Sequence, residues 1–204
     1  MTQDEFFSTR LSASPIIAIL RGLSLEKATT LANQAWDLGI DLVEVPIQDE
    51  AGKEALIAVA QRAHERGRPV GAGTVLTPSD VDFAASVGCS FTVAPGFSEN
   101  VSSRANELSL FHLPGVATAT EVAQAQSMGL VWQKAFPAAS LGVGWISAMR
   151  GPFPQVKFVA TGGIDESNAT QFLDGGAAAL GVGSAFTNLA LLEAITGYER
   201  KSST

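Results

Sequence analysis

Short runs of apolar and β-branched residues recur along the chain at 16–20, 42–47, 70–72, 91–94, 110–113, 130–134, 157–160 and 178–181, which predicts eight strands. Between them lie polar or Ala-rich stretches whose apolar positions return three and four residues apart. These predict helices over 25–38, 51–66, 78–87, 99–107, 119–128, 142–149, 166–173 and 185–194. Helix starts carry capping residues: Thr77 ahead of Pro78, Ser98 ahead of Glu99, Thr118 with Glu121 three residues on, and Asp165 before the seventh helix. Gly39, Gly67, Gly88, Gly129 and Gly175 mark helix ends. Successive strands start about 25 residues apart, the length of one strand, one helix and two short loops. Eight such units close most economically as an α/β protein of the (β/α)8 TIM-barrel type, because closure gives every strand two neighbours and lets the helices cover the outer face. The count alone also permits an open, doubly wound sheet. Residues 1–14 read as a short N-terminal helix covering the barrel floor and residues 197–204 as a frayed tail. No linker or further repeat intervenes, so residues 1–204 form one domain.

Composition narrows the function classes. Of 204 residues, 46% are hydrophobic and only 16% charged, which excludes disorder and requires burial on two sides of the strands. Thirteen Lys and Arg against twenty Asp and Glu leave a net charge of −7, the wrong sign for a nucleic-acid-binding face. A small anionic ligand held by a few local groups remains compatible. Cys89, the single cysteine, rules out an internal disulfide and fits a reducing compartment. The acidic start and the lack of a membrane-length apolar run point to a soluble cytoplasmic protein without a membrane partner.

In a (β/α)8 barrel the chemistry sits at the carboxyl ends of the strands. Alternation along the second strand puts Glu44 on one face with Leu42 and Pro46, where a carboxylate needs either a structural ion partner or a function. Burial there raises its pKa and makes it a proton carrier near neutrality. Lys134 shares a face with Trp132 near the exit of the sixth strand. It either snorkels to solvent or is an amine kept partly unprotonated by apolar walls and a neighbouring cation, able to attack a carbonyl carbon. Gly162 and Gly163 follow the seventh strand, and Gly183 and Ser184 the eighth, the two loops that form the recurring barrel phosphate site. The glycines at 71 and 73 before Thr74, and Pro95 with Gly96, read as tight turns that leave room for a ligand at the mouth. Arg21 ends the first strand as a rim cation, suited to a carboxylate or to an ion pair with Glu44. His64 reads as solvated, His112 as a core or rim residue and Cys89 as filler; no residues have metal-site spacing.

These segments resemble the class I family of 2-keto-3-deoxy-6-phosphogluconate (KDPG) and 4-hydroxy-2-oxoglutarate (KHG) aldolases. The resemblance is carried by Ile-Ala-Ile-Leu-Arg-Gly at 17–22, Val-Glu-Val-Pro at 43–46, Gly-Ala-Gly-Thr-Val-Leu at 71–76 and Ala-Pro-Gly at 94–96. It continues through Pro-Gly-Val-Ala-Thr at 114–118, Gln-Lys-Ala-Phe-Pro-Ala at 133–138, Thr-Gly-Gly-Ile at 161–164 and Gly-Ser at 183–184. It implies that Lys134 forms a Schiff base, that Glu44 shuttles protons, that Gly162, Gly163 and Ser184 bind phosphate, and that Thr74, Pro95, Phe136 and Thr161 contact substrate. It further implies a homotrimer. An imine supplies the electron sink, so the reaction calls for no cofactor and no metal. The expected substrate is a 2-keto-3-deoxy-6-phospho sugar acid, split to pyruvate and D-glyceraldehyde 3-phosphate, with Thr161 favouring the gluconate-derived epimer over the galactonate one. Two features depart from the pattern. Gln48 stands where many members have an arginine, which leaves the substrate carboxylate to Arg21, Thr74 or loop amides, and no further terminal helix follows the eighth. Two other readings remain open at this point: a phosphate-binding isomerase or epimerase that uses Glu44 alone as base, and a non-catalytic barrel that binds sugar acids.

Overall fold

A computed structural model of the chain describes residues 1–196. A helix, α1 (Gln3–Arg10), precedes the first strand. The first half then runs β1 (Ile16–Ile19), α2 (Leu25–Asp37), β2 (Leu42–Pro46), α3 (Glu50–Glu65), β3 (Val70–Gly73), α4 (Pro78–Ser86), β4 (Phe91–Val93) and α5 (Glu99–Glu107). The second half runs β5 (Phe111–Leu113), β6 (Gly115–Val116), α6 (Ala119–Ser127), β7 (Trp132–Ala135), α7 (Ala138–Leu141), α8 (Val143–Arg150), β8 (Lys157–Thr161), α9 (Ala169–Asp174) and β9 (Ala179–Val182), then a 3-10 turn (Ser184–Thr187) and α10 (Leu189–Thr196). The anticipated tail at 197–204 lies outside the described residues.

All strand pairs are parallel, in the order β5-β4-β3-β2-β1-β9-β8-β7-β6. Only Pro114 separates β5 from β6, so the two ends of that row are halves of one strand and the sheet is a closed eight-stranded barrel. Proline has no N–H to give the ladder, but its carbonyl still accepts from the Lys134 amide at 2.8 Å. The open sheet is thereby set aside. The fifth strand runs past 113 because the proline interrupts one edge without ending the strand.

Three helices differ from the pattern-based reading. The seventh begins only at Ala169, because the side chains of Asp165 and Asn168 take up backbone groups of the preceding turn. An extra turn, α7, precedes α8, with Gly142 (φ +81°) between them. The eighth splits at Asn188, whose side-chain oxygen accepts from the Ala190 amide at 2.9 Å.

Strand alternation divides the core in two. Outward residues such as Ile16, Ala18, Val43 and Val45 pack under the helices. Ile17, Leu42, Phe91, Leu113, Trp132 and Val159 fill the lower barrel, where α1 closes the floor by inserting Phe6 and Phe7. Phe7 lies 5.9 Å from Phe91 and 6.0 Å from Trp132, ring centre to ring centre. Burying each such ring contributes roughly 1.5–3 kcal/mol. Cys89 is buried, with its thiol pushed up to about 12 by burial. Among the described residues no helix is long and apolar enough to cross a membrane.

His112 points outward from β5, opposite Thr92, whose hydroxyl lies 2.8 Å from its Nδ1. Complete burial lowers its pKa from 6.5 to about 4. The unfolded chain therefore binds a proton at this position between those values that the folded chain does not. The contribution is fully present above pH 6.5 and is lost as pH falls toward 4, a total of about 3 kcal/mol. His112→Gln keeps a polar group near Thr92 and cannot titrate. Denaturant unfolding at about pH 7 and pH 4.5 should show wild type losing about 2–3 kcal/mol more than the variant; equal losses would place the proton elsewhere.

Candidate active site

Glu44 and Lys134 both project inward from the upper part of the barrel, one and three per cent exposed. Their strands fix this: Glu44 lies level with Ile19 of β1 and Gly71 of β3, and Lys134 level with Gly115 of β6 and Val159 of β8. Missing side chains make room for Glu44 and for two of its neighbours in the barrel, Phe91 and Thr161. A Cβ on Gly73 would stand 2.8 Å from Glu44 Oε1, one on Gly71 would collide with the Phe91 ring, and one on Gly181 with Thr161. Gly71 and Gly73 are thus members of β3, not of a turn, and their missing side chains make space for the Phe91 ring and the Glu44 carboxyl group.

Burial favours the neutral form of both groups. It pushes Glu44 up, against the opposing pull of Lys134 and Arg21. It pushes Lys134 down; Glu44 opposes that shift and Arg21 adds to it. Among the described residues no protein group donates to Glu44 Oε1. The Lys134 amine stands 5.0 Å from the centre of the Phe136 ring.

A cleft of about 310 Å³ opens above the lysine. Lys134, Thr161, Phe136 and Arg21 line it, together with Gly162, Gly163 and Gly183. The Arg21 guanidinium donates to Thr74 Oγ1 at 3.1 Å, and Thr74 holds a left-handed backbone (φ +58°), so the two residues form one rim unit. Gly162 and Gly163 take φ of +96° and +73°. Their carbonyls are tied back, the first accepting from the Ala139 amide at 3.0 Å and the second from Asn168 Nδ2 at 2.7 Å. Asn188 Nδ2 donates to Glu166 Oε2 at 2.7 Å, clipping the segment after β9 to the loop after β8. Ser184 opens the 3-10 turn directly after Gly183.

Two of the residues singled out from the sequence stand apart. Gln48 is exposed, donates to Asp49 Oδ2 at 3.2 Å, and lines a separate depression with Gly22 and Ser24 between the starts of α2 and α3. Pro95 follows β4 and lies against Gly115, the residue level with Lys134, outside the cleft lining. Asn168, Asn188 and Glu166 were missed; the only signal for them was the Asp165 cap, whose neighbourhood proves to be a loop brace. A larger hollow, about 480 Å³, lies under α1 at the other end of the barrel and holds no buried charge. Among the described residues no three His, Cys, Asp or Glu side chains group as metal donors.

A closed parallel barrel with an amine and a carboxyl group buried at its carboxyl end defines a barrel enzyme equipped for carbonyl and proton-transfer chemistry. The family model described as KDPG and KHG aldolase matches residues 7–198. The 2-dehydro-3-deoxy-6-phosphogalactonate aldolase of Escherichia coli K12 is 34% identical over 171 residues, covering 83% of each chain. The KHG/KDPG aldolase of the same organism is 34% identical over 164 residues, covering 80% of this chain and 76% of that one. Among solved structures, the KDPG aldolase of Legionella pneumophila, with pyruvate captured as a covalent carbinolamine intermediate, superposes with a TM-score of 0.81 at 30% identity, over 97% of this chain and 96% of that one. The chain belongs to the KDPG/KHG aldolase family and is an aldolase, a carbon–carbon lyase.

Proposed function

We propose that this aldolase works through a Schiff base on Lys134, cleaving a 2-keto-3-deoxy-6-phospho sugar acid to pyruvate and D-glyceraldehyde 3-phosphate. The observation that carries the reading is the burial of Lys134 and Glu44 in one barrel, beside the cleft that Lys134 lines. The lowered pKa makes the free-base form of Lys134 easier to reach than for an ordinary lysine, and in that form the amine adds to the C2 carbonyl. Glu44, whose pKa burial raises, relays the proton from nitrogen to oxygen; its carboxylic acid form then protonates the departing hydroxyl, which leaves as water, giving the cationic imine and the Glu44 carboxylate. The C4 hydroxyl then gives its proton to the Glu44 carboxylate, the C3–C4 bond breaks, and its electrons pass into the iminium as the aldehyde leaves. The enamine takes a proton at C3 from Glu44, and water adds to the resulting iminium, returning pyruvate, the amine and a proton to the Glu44 carboxylate. The covalent carbinolamine in the Legionella relative is in line with this sequence.

The Arg21–Thr74 unit is the natural seat for the substrate carboxylate, since Gln48 faces away from the cleft. The glycine loops at 162–163 and 183–184 are assigned to the phosphate, and Pro95, Phe136 and Thr161 to the body of the substrate. Thr161 favours the gluconate-derived epimer; curated relatives carry names of both kinds. A homotrimer in the cytoplasm, as the resemblance implies, completes the reading. The test is a panel of four 2-keto-3-deoxy acids, both C4 epimers with and without the terminal phosphate, assayed for pyruvate release. The phosphorylated gluconate epimer should give the highest kcat/KM, and no pyruvate from any of the four would end the proposal.

Gly183 offers a clean check on the phosphate. It is exposed, lines the cleft, and a Cβ there meets nothing within 4 Å. Gly183→Asp should raise KM for a phosphorylated substrate at least about tenfold by like-charge repulsion while leaving pyruvate binding unchanged. Equal losses for both would remove the phosphate from this rim.

A further inference from the structure

Below Pro114 the barrel wall has a gap that α1 fills. The Lys134 amide donates to the Pro114 carbonyl, so the next rung down a parallel ladder would join the Trp132 amide to the His112 carbonyl. That rung is not made. The Gln3 side chain is inserted in its place: the Trp132 amide donates to Gln3 Oε1 at 3.0 Å, and Gln3 Nε2 donates to the His112 carbonyl at 2.7 Å and to the Trp132 carbonyl at 2.9 Å. The adjacent Asp4 grips the same residue, accepting from the Trp132 indole at 2.9 Å and from Lys157 Nζ at 2.5 Å. The first turn of α1 therefore sets how far β5 and β7 splay at a point two residues from Lys134 on the same strand and face.

We propose that Gln3 is a positioning residue for the reaction, its amide acting as a rung of the barrel wall that fixes the seat of Lys134 relative to Glu44. The proposal rests on the Schiff-base reading above. Without the amide, two outcomes are open to the wall. The strands close directly, drawing β7 toward β5 and moving the lysine, or they stay apart and admit water beside Trp132 under the lysine. A displacement of about 1 Å in a reacting group can cost on the order of a hundredfold in rate. The charged groups that act on Lys134 are Glu44 and Arg21, and Gln3 touches neither.

The test uses Gln3→Met, which keeps the length and removes the amide, and Gln3→Glu, which keeps only the acceptor for Trp132. Phe6 and Phe7 still anchor α1 in both. We expect kcat for cleavage to fall about tenfold or more with KM within about twofold, in protein that is fully folded at the assay temperature. The rate at which borohydride traps pyruvate on the variants should need a higher pH to reach half its maximum than on wild type. A folded variant with wild-type kcat, KM and trapping profile and only a lowered Tm would reduce Gln3 to a structural brace and overturn the proposal. Failure of both variants to fold would do the same, by assigning the amide to folding. Wild type is trapped in parallel: no adduct there sinks the Schiff-base reading itself, whereas an adduct on wild type with unchanged variants sinks only the role of Gln3.

Discussion

Lys134→Met should leave a folded barrel that releases pyruvate from 2-keto-3-deoxy acids at least about 10⁴-fold more slowly than wild type, the scale on which enzymes lose a covalent nucleophile. Methionine fills nearly the volume of lysine, so packing beside Phe136 and Thr161 is retained. The substitution also removes a buried amine whose charged form is disfavoured there, so the variant should melt no lower than wild type. Loss of turnover without loss of stability separates a chemical role from a structural one. Lys134→Arg sharpens the contrast, because it restores a cation but no usable nucleophile. An arginine variant within about tenfold of wild type would mean that the position contributes charge alone. The readout is pyruvate release coupled to lactate dehydrogenase, with thermal melting run alongside.

Glu44→Gln should lower kcat by about 10²–10⁴, the range of general acid–base contributions, while substrate still binds. The two side chains are nearly the same size, so the amide fits the space left by Gly73. A second consequence has a definite sign. Glu44 holds the pKa of Lys134 up against the downward effects of burial and Arg21, so its neutralisation lets that pKa fall further. The pH at which borohydride trapping of pyruvate reaches half its maximum should therefore move lower in Glu44→Gln, even though the maximum itself is reduced. A shift toward higher pH, or a variant as fast as wild type, would remove Glu44 from the proton path.

The pair at the centre of the site was legible because a strand has a period of two. Leu42 and Trp132 had to face the barrel interior, and that parity carried Glu44 and Lys134 inward with them. Eight strands at even spacing likewise announced the barrel. What stayed hidden depended on contacts remote in sequence. Pro114 reads as a strand end, and only its neighbours in space show that one strand continues across it to close the sheet. Gly71 and Gly73 look like turn residues until Phe91 and Glu44 are seen occupying the space their side chains would fill. Gln48 adjoins the helix cap at Asp49, which draws its amide out of the cleft. Gln3 lies in a polar opening turn with nothing to distinguish it from a solvated residue, yet its partners are 109 and 129 positions away.

One measurement bears most directly on the claim that a dry amine beside a buried carboxyl group does the chemistry. Wild-type protein is treated with pyruvate and borohydride, digested, and its modified peptide identified by mass. The adduct should lie on Lys134 alone and should form at a pH well below that at which an ordinary lysine loses its proton. Modification spread over exposed lysines such as Lys27, or no adduct at all, would contradict the account.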